Sequence, residues 1–183
     1  MENLVFVQPI RLVFILLILS PSFSRISSKD ASLIESVCKR TMYHDLCVSS
    51  LRSNPHSAGA DVKGLARIML ELFRDKAIDN LVQVKKLQST ATDPVIQRCL
   101  EVCSTEYGLA NDTYIPVAFG YFESNSMAEA VTNAGWAYDG VETCEDEFGE
   151  EHRSSPLTAR NNYAMHISRI AEDIMSILVE KTF

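Results

Sequence analysis

The chain has 183 residues, a length that suits one compact domain behind a short leader. Twenty-four acidic residues against seventeen basic ones leave a net charge of −7. That balance excludes phosphate-backbone binding, which needs clustered Lys and Arg, and it suits a basic protein partner better than a nucleic acid.

Residues 12–19 (LVFILLIL) form an unbroken apolar run with Arg11 in front of it. Behind it Ser22-Phe23-Ser24 supplies a small-x-small cleavage pattern. This reads as a secretory signal peptide over residues 1–24, which leaves a mature domain of residues 25–183. Eight strongly apolar residues are too few for a membrane anchor, which needs about 20. Export places the five cysteines in an oxidising compartment, where pairs close into disulfides.

The periodicity beyond the leader is helical throughout. Ser32-x-x-Glu35 reads as a capping box opening a short helix towards Cys38, and Cys47 to Leu51 reads as a second short helix ended by Ser53-Asn54-Pro55. Cys38 and Cys47, only nine apart, are the natural local pair. Val62, Leu65, Ala66, Met69, Leu72, Phe73, Ile78 and Leu81 recur at helical spacing and predict a long amphipathic helix with a break near Asp75. Asp93-Pro94 opens the next helix, carrying Val95, Leu100, Cys103, Tyr107 and Ala110. Pro116 predicts a kink or restart, because an interior proline removes a donor and clashes with the preceding turn. Asn125-Ser126 is expected to cap a helix running through Met127, Ala130, Val131 and Ala134 to Cys144, and Ser155-Pro156 to open the last, through Ile174 to Leu178. The expected fold is all-α, an up-and-down four-helix bundle with an N-terminal helical hairpin and two disulfides. Counting alone leaves Cys144 free to reach either Cys99 or Cys103.

Several blocks of this chain resemble the plant invertase and pectin methylesterase inhibitors. Cys38-Lys39-Arg40-Thr41-x-Tyr43-x-Asp45-Leu46-Cys47 is similar to that family's first disulfide hairpin, and residues 51–66 to its entry into the next helix. Cys103-x3-Tyr107-x2-Ala110 resembles the segment holding the third paired cysteine, and Thr143-Cys144-Glu145-Asp146-x-Phe148 the segment holding the fourth. Ser155-Pro156-Leu157-Thr158 resembles the start of the closing helix. The resemblance implies bridges Cys38–Cys47 and Cys103–Cys144, with Cys99 a free thiol. It also implies a secreted, non-catalytic protein of the apoplast or vacuole whose rigid bundle face plugs the substrate cleft of a carbohydrate-active enzyme, one to one.

Two targets follow from the resemblance. Asp112 and Thr143 match positions by which pectin methylesterase inhibitors hold their enzyme, although Leu109 stands where a further acid is expected. Invertase inhibitors carry a Pro-Lys-Phe segment before a methionine; here Phe122 and Met127 match, while Gly120 and Tyr121 replace the proline and lysine. Asp112, Thr143, Tyr121 and Phe122 are thus the candidate target-binding residues, with pectin methylesterase first and acid invertase second. A non-inhibitory secreted binding protein is the third reading.

Other chemistry is weaker. Cys99 lies on an amphipathic helix with no base in view and reads as apolar filler rather than a nucleophile. His44, His56, His152 and His166 form no i, i+4 pair, and the acids between Glu142 and Glu151 lack an EF-hand's glycine and alternating ligands, so no metal site or cofactor is expected. No GxSxG, phosphate-binding or dinucleotide fingerprint occurs. Trp136 and Tyr138, among small neighbours, read as core packing. Asn111-Asp112-Thr113 is an N-glycosylation sequon that export makes usable.

Overall fold

A computed structural model describes residues 27–180, so the leader and its cleavage site lie outside the described residues. Among the described residues seven α-helices follow one another: α1 (Ser28–Cys38), α2 (His44–Ser53), α3 (Val62–Gln88), α4 (Pro94–Leu109), α5 (Ile115–Glu123), α6 (Met127–Glu150) and α7 (Thr158–Glu180). Helices α1 and α2 make the N-terminal hairpin. The bundle consists of α3, the tandem α4–α5, α6 and α7, each packed on its chain neighbours, with α7 closing back onto α3. No strand occurs among the described residues, and no helix among them is long and apolar enough to cross a membrane.

The helix ends show which local signals act. The capping box of α1 is Ser27 with Asp30, whose side chains satisfy each other's backbone N–H groups, one turn before the Ser32–Glu35 pair. Ser32 instead returns its hydroxyl to the Lys29 carbonyl inside the helix. Asp93 caps α4 through the Val95 N–H, with Pro94 at the first helical position, where its missing donor costs nothing. Ser126 starts α6 without a side-chain cap. Asn125 acts on the other side of the boundary: at φ 63° it closes α5, with the Ser126 N–H reaching back to the Tyr121 carbonyl at 2.9 Å. Pro156 lies before α7, whose first turn is prepared by Ser155 accepting from the Leu157 N–H.

Helix α3 runs unbroken past Asp75. Its buried stripe steps from Phe73 through Ala77 and Asn80 to Val84, which keeps the helical period and leaves Ile78, 47% accessible, on the outside. The bundle thus prefers a buried asparagine to an isoleucine one step out of phase.

Between α4 and α5 the helix widens instead of stopping. Residues Ala110–Tyr114 form a π turn in which the Ile115 N–H reaches the Ala110 carbonyl. Pro116 has no N–H to donate and would press on the carbonyl four residues earlier, and one extra residue per turn relieves both problems. The core records the insertion: buried positions step 103, 107, 110, then 115, 118, 122. The gap of five keeps the apolar stripe on the core side through α5.

Two disulfides brace the fold. Cys38–Cys47 closes the hairpin across nine residues, and Cys103–Cys144 joins α4 to α6 across forty-one. Cys99 is fully buried, its thiol donating to the Glu147 carbonyl at 3.9 Å. Burial, followed by the charges of Glu147 and Glu151, pushes this thiol above its ordinary value, which disfavours the reactive thiolate. The hairpin leans on the bundle through a stack of Tyr43 on His166 (3.9 Å), the Met42 N–H on Asp173 (2.9 Å) and an Arg40–Glu180 ion pair.

A chain of hydrogen bonds crosses the bundle interior. Arg160 donates to Asn80 (3.2 Å), Asn80 to the Tyr107 hydroxyl (2.9 Å), and Tyr107 to Asn161 (2.7 Å). Asn161 then donates to Glu145 (2.8 Å), which also accepts from Thr158. All four bundle elements contribute a member. Burial pushes the Tyr107 phenol well above its ordinary value, against the opposing hydrogen bond from Asn80, so it remains a donor at any physiological pH.

Candidate functional site

Helices α4 and α6 approach closely because small residues face the seam. Gly140 is buried on α6 one turn before Cys144, and the Cα atoms of Cys103 and Cys144 are 4.4 Å apart. A Cβ added at Gly140 would lie 3.0 Å from Glu106 Oε2 and 3.6 Å from the Glu106 carbonyl oxygen. The glycine therefore makes room for the Glu106 side chain to lie across the seam.

On the solvent side of that seam is a groove of about 330 Å³, lined by Glu106, Tyr114, Trp136, Asp139, Gly140 and Thr143. Four of these come from α6 at positions i, i+3, i+4 and i+7, one face of a helix. Trp136 is 50% accessible, so the expectation of core packing is corrected: helices held this close leave no space for an indole between them, and the ring lies over the seam. The Tyr114 ring meets it at 5.8 Å with an interplanar angle of 59°. Tyr138 is half-buried, with the Arg169 guanidinium 4.9 Å from its ring centre.

The four candidate contact residues are not gathered in one place. Thr143 lines the groove, its hydroxyl tied back to the Asp139 carbonyl at 2.9 Å. Asp112 is exposed on the π turn, two residues before Tyr114, and does not itself line the groove. Tyr121 is 39% accessible on α5. Phe122 is 1% accessible, with Lys63 Nζ 5.2 Å from its ring centre. The π turn sets the register of Phe122 to the core, while its neighbours Tyr121 and Glu123 face outward. Leu109 and Val117 continue the exposed apolar edge at 40% and 41%. Asn111 of the sequon is half-buried, its Oδ1 enclosed without a hydrogen-bond partner.

The α4-to-α6 stretch of the chain is strongly acidic. From Pro94 to Glu150 the sequence holds eleven acidic residues and a single basic one, Arg98. Arg98 is paired with Glu151 at 3.5 Å. Among the described residues neither Glu106 nor Asp139 has an ion-pair or side-chain hydrogen-bond partner. No group of three or more metal-ligating side chains occurs among the described residues.

Residues 32–174 match the family model described as plant invertase/pectin methylesterase inhibitor. The chain belongs to this family. It is a family of inhibitor proteins, not enzymes. A pectinesterase inhibitor of Actinidia deliciosa is 32% identical over 140 residues, covering 76% of this chain and 75% of that protein. A cell wall / vacuolar inhibitor of fructosidase from Arabidopsis thaliana is 39% identical over 107 residues, covering 56% of this chain and 59% of its own. Among solved structures, a mutant form of a pectin methylesterase inhibitor from Arabidopsis superposes with a TM-score of 0.70 at 20% identity, covering 79% of this chain and 95% of that one. That likeness shows the shared helical fold. Inhibitors of two different enzymes thus stand among the relatives, and the family by itself does not choose between them.

Of the groove residues, Glu106, Tyr114, Asp139 and Gly140 carry no sequence motif of their own. Trp136 had a signal: it falls one step outside the stripe of Asn133, Ala137, Gly140 and Cys144 on the helical wheel.

Proposed function

We propose that this protein is a secreted inhibitor of pectin methylesterase, exported by cleavage after Ser24 and acting one to one in the apoplast. It docks by the face that α4, the π turn, α5 and α6 present to solvent. The observation that carries this reading is the split between the two sets of candidate contacts. Asp112 and Thr143, the pair matching esterase inhibitors, are both exposed on that face, whereas Phe122, the residue matching invertase inhibitors, is sealed in the core. Inhibition then follows from occupancy. Two disulfides and a packed bundle hold the face rigid before docking, so little conformational entropy is lost on binding, and the polysaccharide is shut out of the cleft.

A second target, acid invertase of the cell wall or vacuole, draws support from the 39% identity to the Arabidopsis fructosidase inhibitor. Titrating the purified protein against both enzymes at several pH values separates the readings. Loss of esterase activity with invertase untouched is the expected result; the reverse selects the second target. Full activity of both enzymes, with melting that depends on a small ligand, selects a non-inhibitory binding protein.

The sequon places an N-glycan on Asn111, beside Asp112 on the docking face. Enzymatic deglycosylation should then strengthen inhibition, and a peptide map showing unmodified Asn111 removes the glycan from the account.

A further inference from the structure

The groove between α4 and α6 holds two unpaired carboxylates, Glu106 and Asp139, beside a half-exposed indole. The carboxylates lie on a stretch of chain, Pro94 to Glu150, whose one basic residue is Arg98. Arg98 is committed to Glu151 (3.5 Å), Arg169 to Glu172 (2.9 Å) and Arg160 to Asn80 (3.2 Å). We infer that the groove receives an arginine side chain of the inhibited enzyme, its guanidinium set against Trp136 and between the carboxylates of Glu106 and Asp139. This rests on the inhibitor reading above and names the chemistry the partner must bring.

The residue types select that occupant. A guanidinium is planar, stacks on an indole face and offers forked donors to carboxylates, whereas an ammonium does only part of this. A pectin-like polyuronate would be repelled by the same carboxylates. A volume of about 330 Å³ is ample for a guanidinium and the end of its aliphatic stem. The surrounding acidic face steers a basic partner towards the groove before contact.

Trp136 is the only tryptophan in the chain, so its fluorescence reports on this groove alone. A short peptide carrying one arginine is titrated against the protein, in parallel with the same peptide bearing neutral citrulline and with sucrose. The arginine peptide should give a saturable change that weakens with salt, that citrulline and sucrose do not give, and that the double variant Glu106→Gln/Asp139→Asn abolishes. Against the inhibited enzyme the same double variant should bind roughly tenfold more weakly, with a shallower salt dependence and an unchanged melting temperature. An equal response to citrulline or sucrose overturns the inference, as does undiminished inhibition by the folded double variant; in the latter case the proposed function still stands. If the parent chain inhibits neither enzyme, the proposed function fails instead. The groove is then judged by the peptides: an arginine-only response upholds its chemistry, and no response overturns it.

Discussion

Tyr107 and Trp136 stand on facing helices, α4 and α6, and each has polar groups close by, yet the two neighbourhoods are built on opposite terms. Around Tyr107 each link of the chain from Arg160 through Asn80 and Asn161 to Glu145 is closed by a partner within this protein. Around Trp136 the carboxylates of Glu106 and Asp139 are left without a partner among the described residues, and Gly140 gives one of them room to lie across the seam. Buried polar groups must be paired because an orphan costs about 1–3 kcal/mol, so the inner cluster is structural by necessity. Half-buried Glu106 and exposed Asp139 both line a groove open to water and carry no such penalty, which frees the outer cluster to be shaped for another molecule. Pairing inside and openness outside separate what holds the bundle from what it shows.

That contrast is broken most forcefully through the covalent brace both clusters share. Replacing Cys103 and Cys144 together by serine should lower stability by about 4 kcal/mol, the chain-entropy value for a loop of forty-one residues, measured by denaturant unfolding. Opening Cys38–Cys47, nine residues apart, should cost less, about 3 kcal/mol. If the two losses prove equal, the α4–α6 bridge is not the dominant brace.

Tyr107→Phe removes one oxygen and strands a donor on Asn80 and an acceptor on Asn161. A loss of about 2–3 kcal/mol is expected, with inhibition by the folded protein unchanged. Weakened inhibition at full stability would reverse the roles assigned to the two clusters.

Gly140→Ala tests the other side. The added methyl displaces the flexible end of Glu106 while gaining helix propensity, so stability should hold or rise by about 0.5–1 kcal/mol. Docking to the enzyme should fall several-fold, read by inhibition titration. A variant that inhibits as well as the parent would show that Glu106 has no fixed position to lose.

The smallest effect concerns pH. Hydrogen bonds to Asp45 (2.8 Å) and then Glu35 (3.0 Å) raise the His44 pKa above its ordinary 6.5. A raised pKa stabilises the fold fully below 6.5, and this contribution is lost as pH climbs through the folded value. Glu172 acts in the same sense, its pKa raised by burial against the opposing charge of Arg169. The caps Asp30 and Asp93, both lowered by the hydrogen bonds they accept, act oppositely: their contributions are present above 3.8 and fade as pH falls through the depressed values. Melting temperature should therefore peak on the acid side of neutrality. His44→Gln should flatten only the part of the profile above 6.5, and a variant with the parental profile would remove His44 from this account.

The bundle was legible in the sequence because its signals are local and redundant. Asp93-Pro94 marks a helix start by capping alone, and the apolar stripe of α7 keeps its period from Ala164 to Ile177. Misreadings arose where a tertiary partner outweighed the local preference. Asn80 took a core position from Ile78 because Tyr107 and Arg160 were waiting for it, and those lie 27 and 80 residues away. The outer groove was less legible still. Thr143 carried a motif, but Trp136 was taken for core because its small neighbours suggest tight packing, and they pack tightly by excluding it. Nothing in the single sequence says that Glu106 and Gly140 share a seam.

The π turn has one more consequence, a rotational one. Each residue advances a helix by about 100°, so the five positions Ala110–Tyr114 act as a phase shifter for everything downstream to Glu123. Deleting one residue there would shorten the step between Ala110 and Ile115 to four, the ordinary helical spacing, so Phe122 would stay in line with the core while the clash of Pro116 returned. Inserting one more would swing α5 by about 100° and draw a different row of side chains inward. A single codon gained at this point would redraw the outer surface of α5 without altering any residue that forms it.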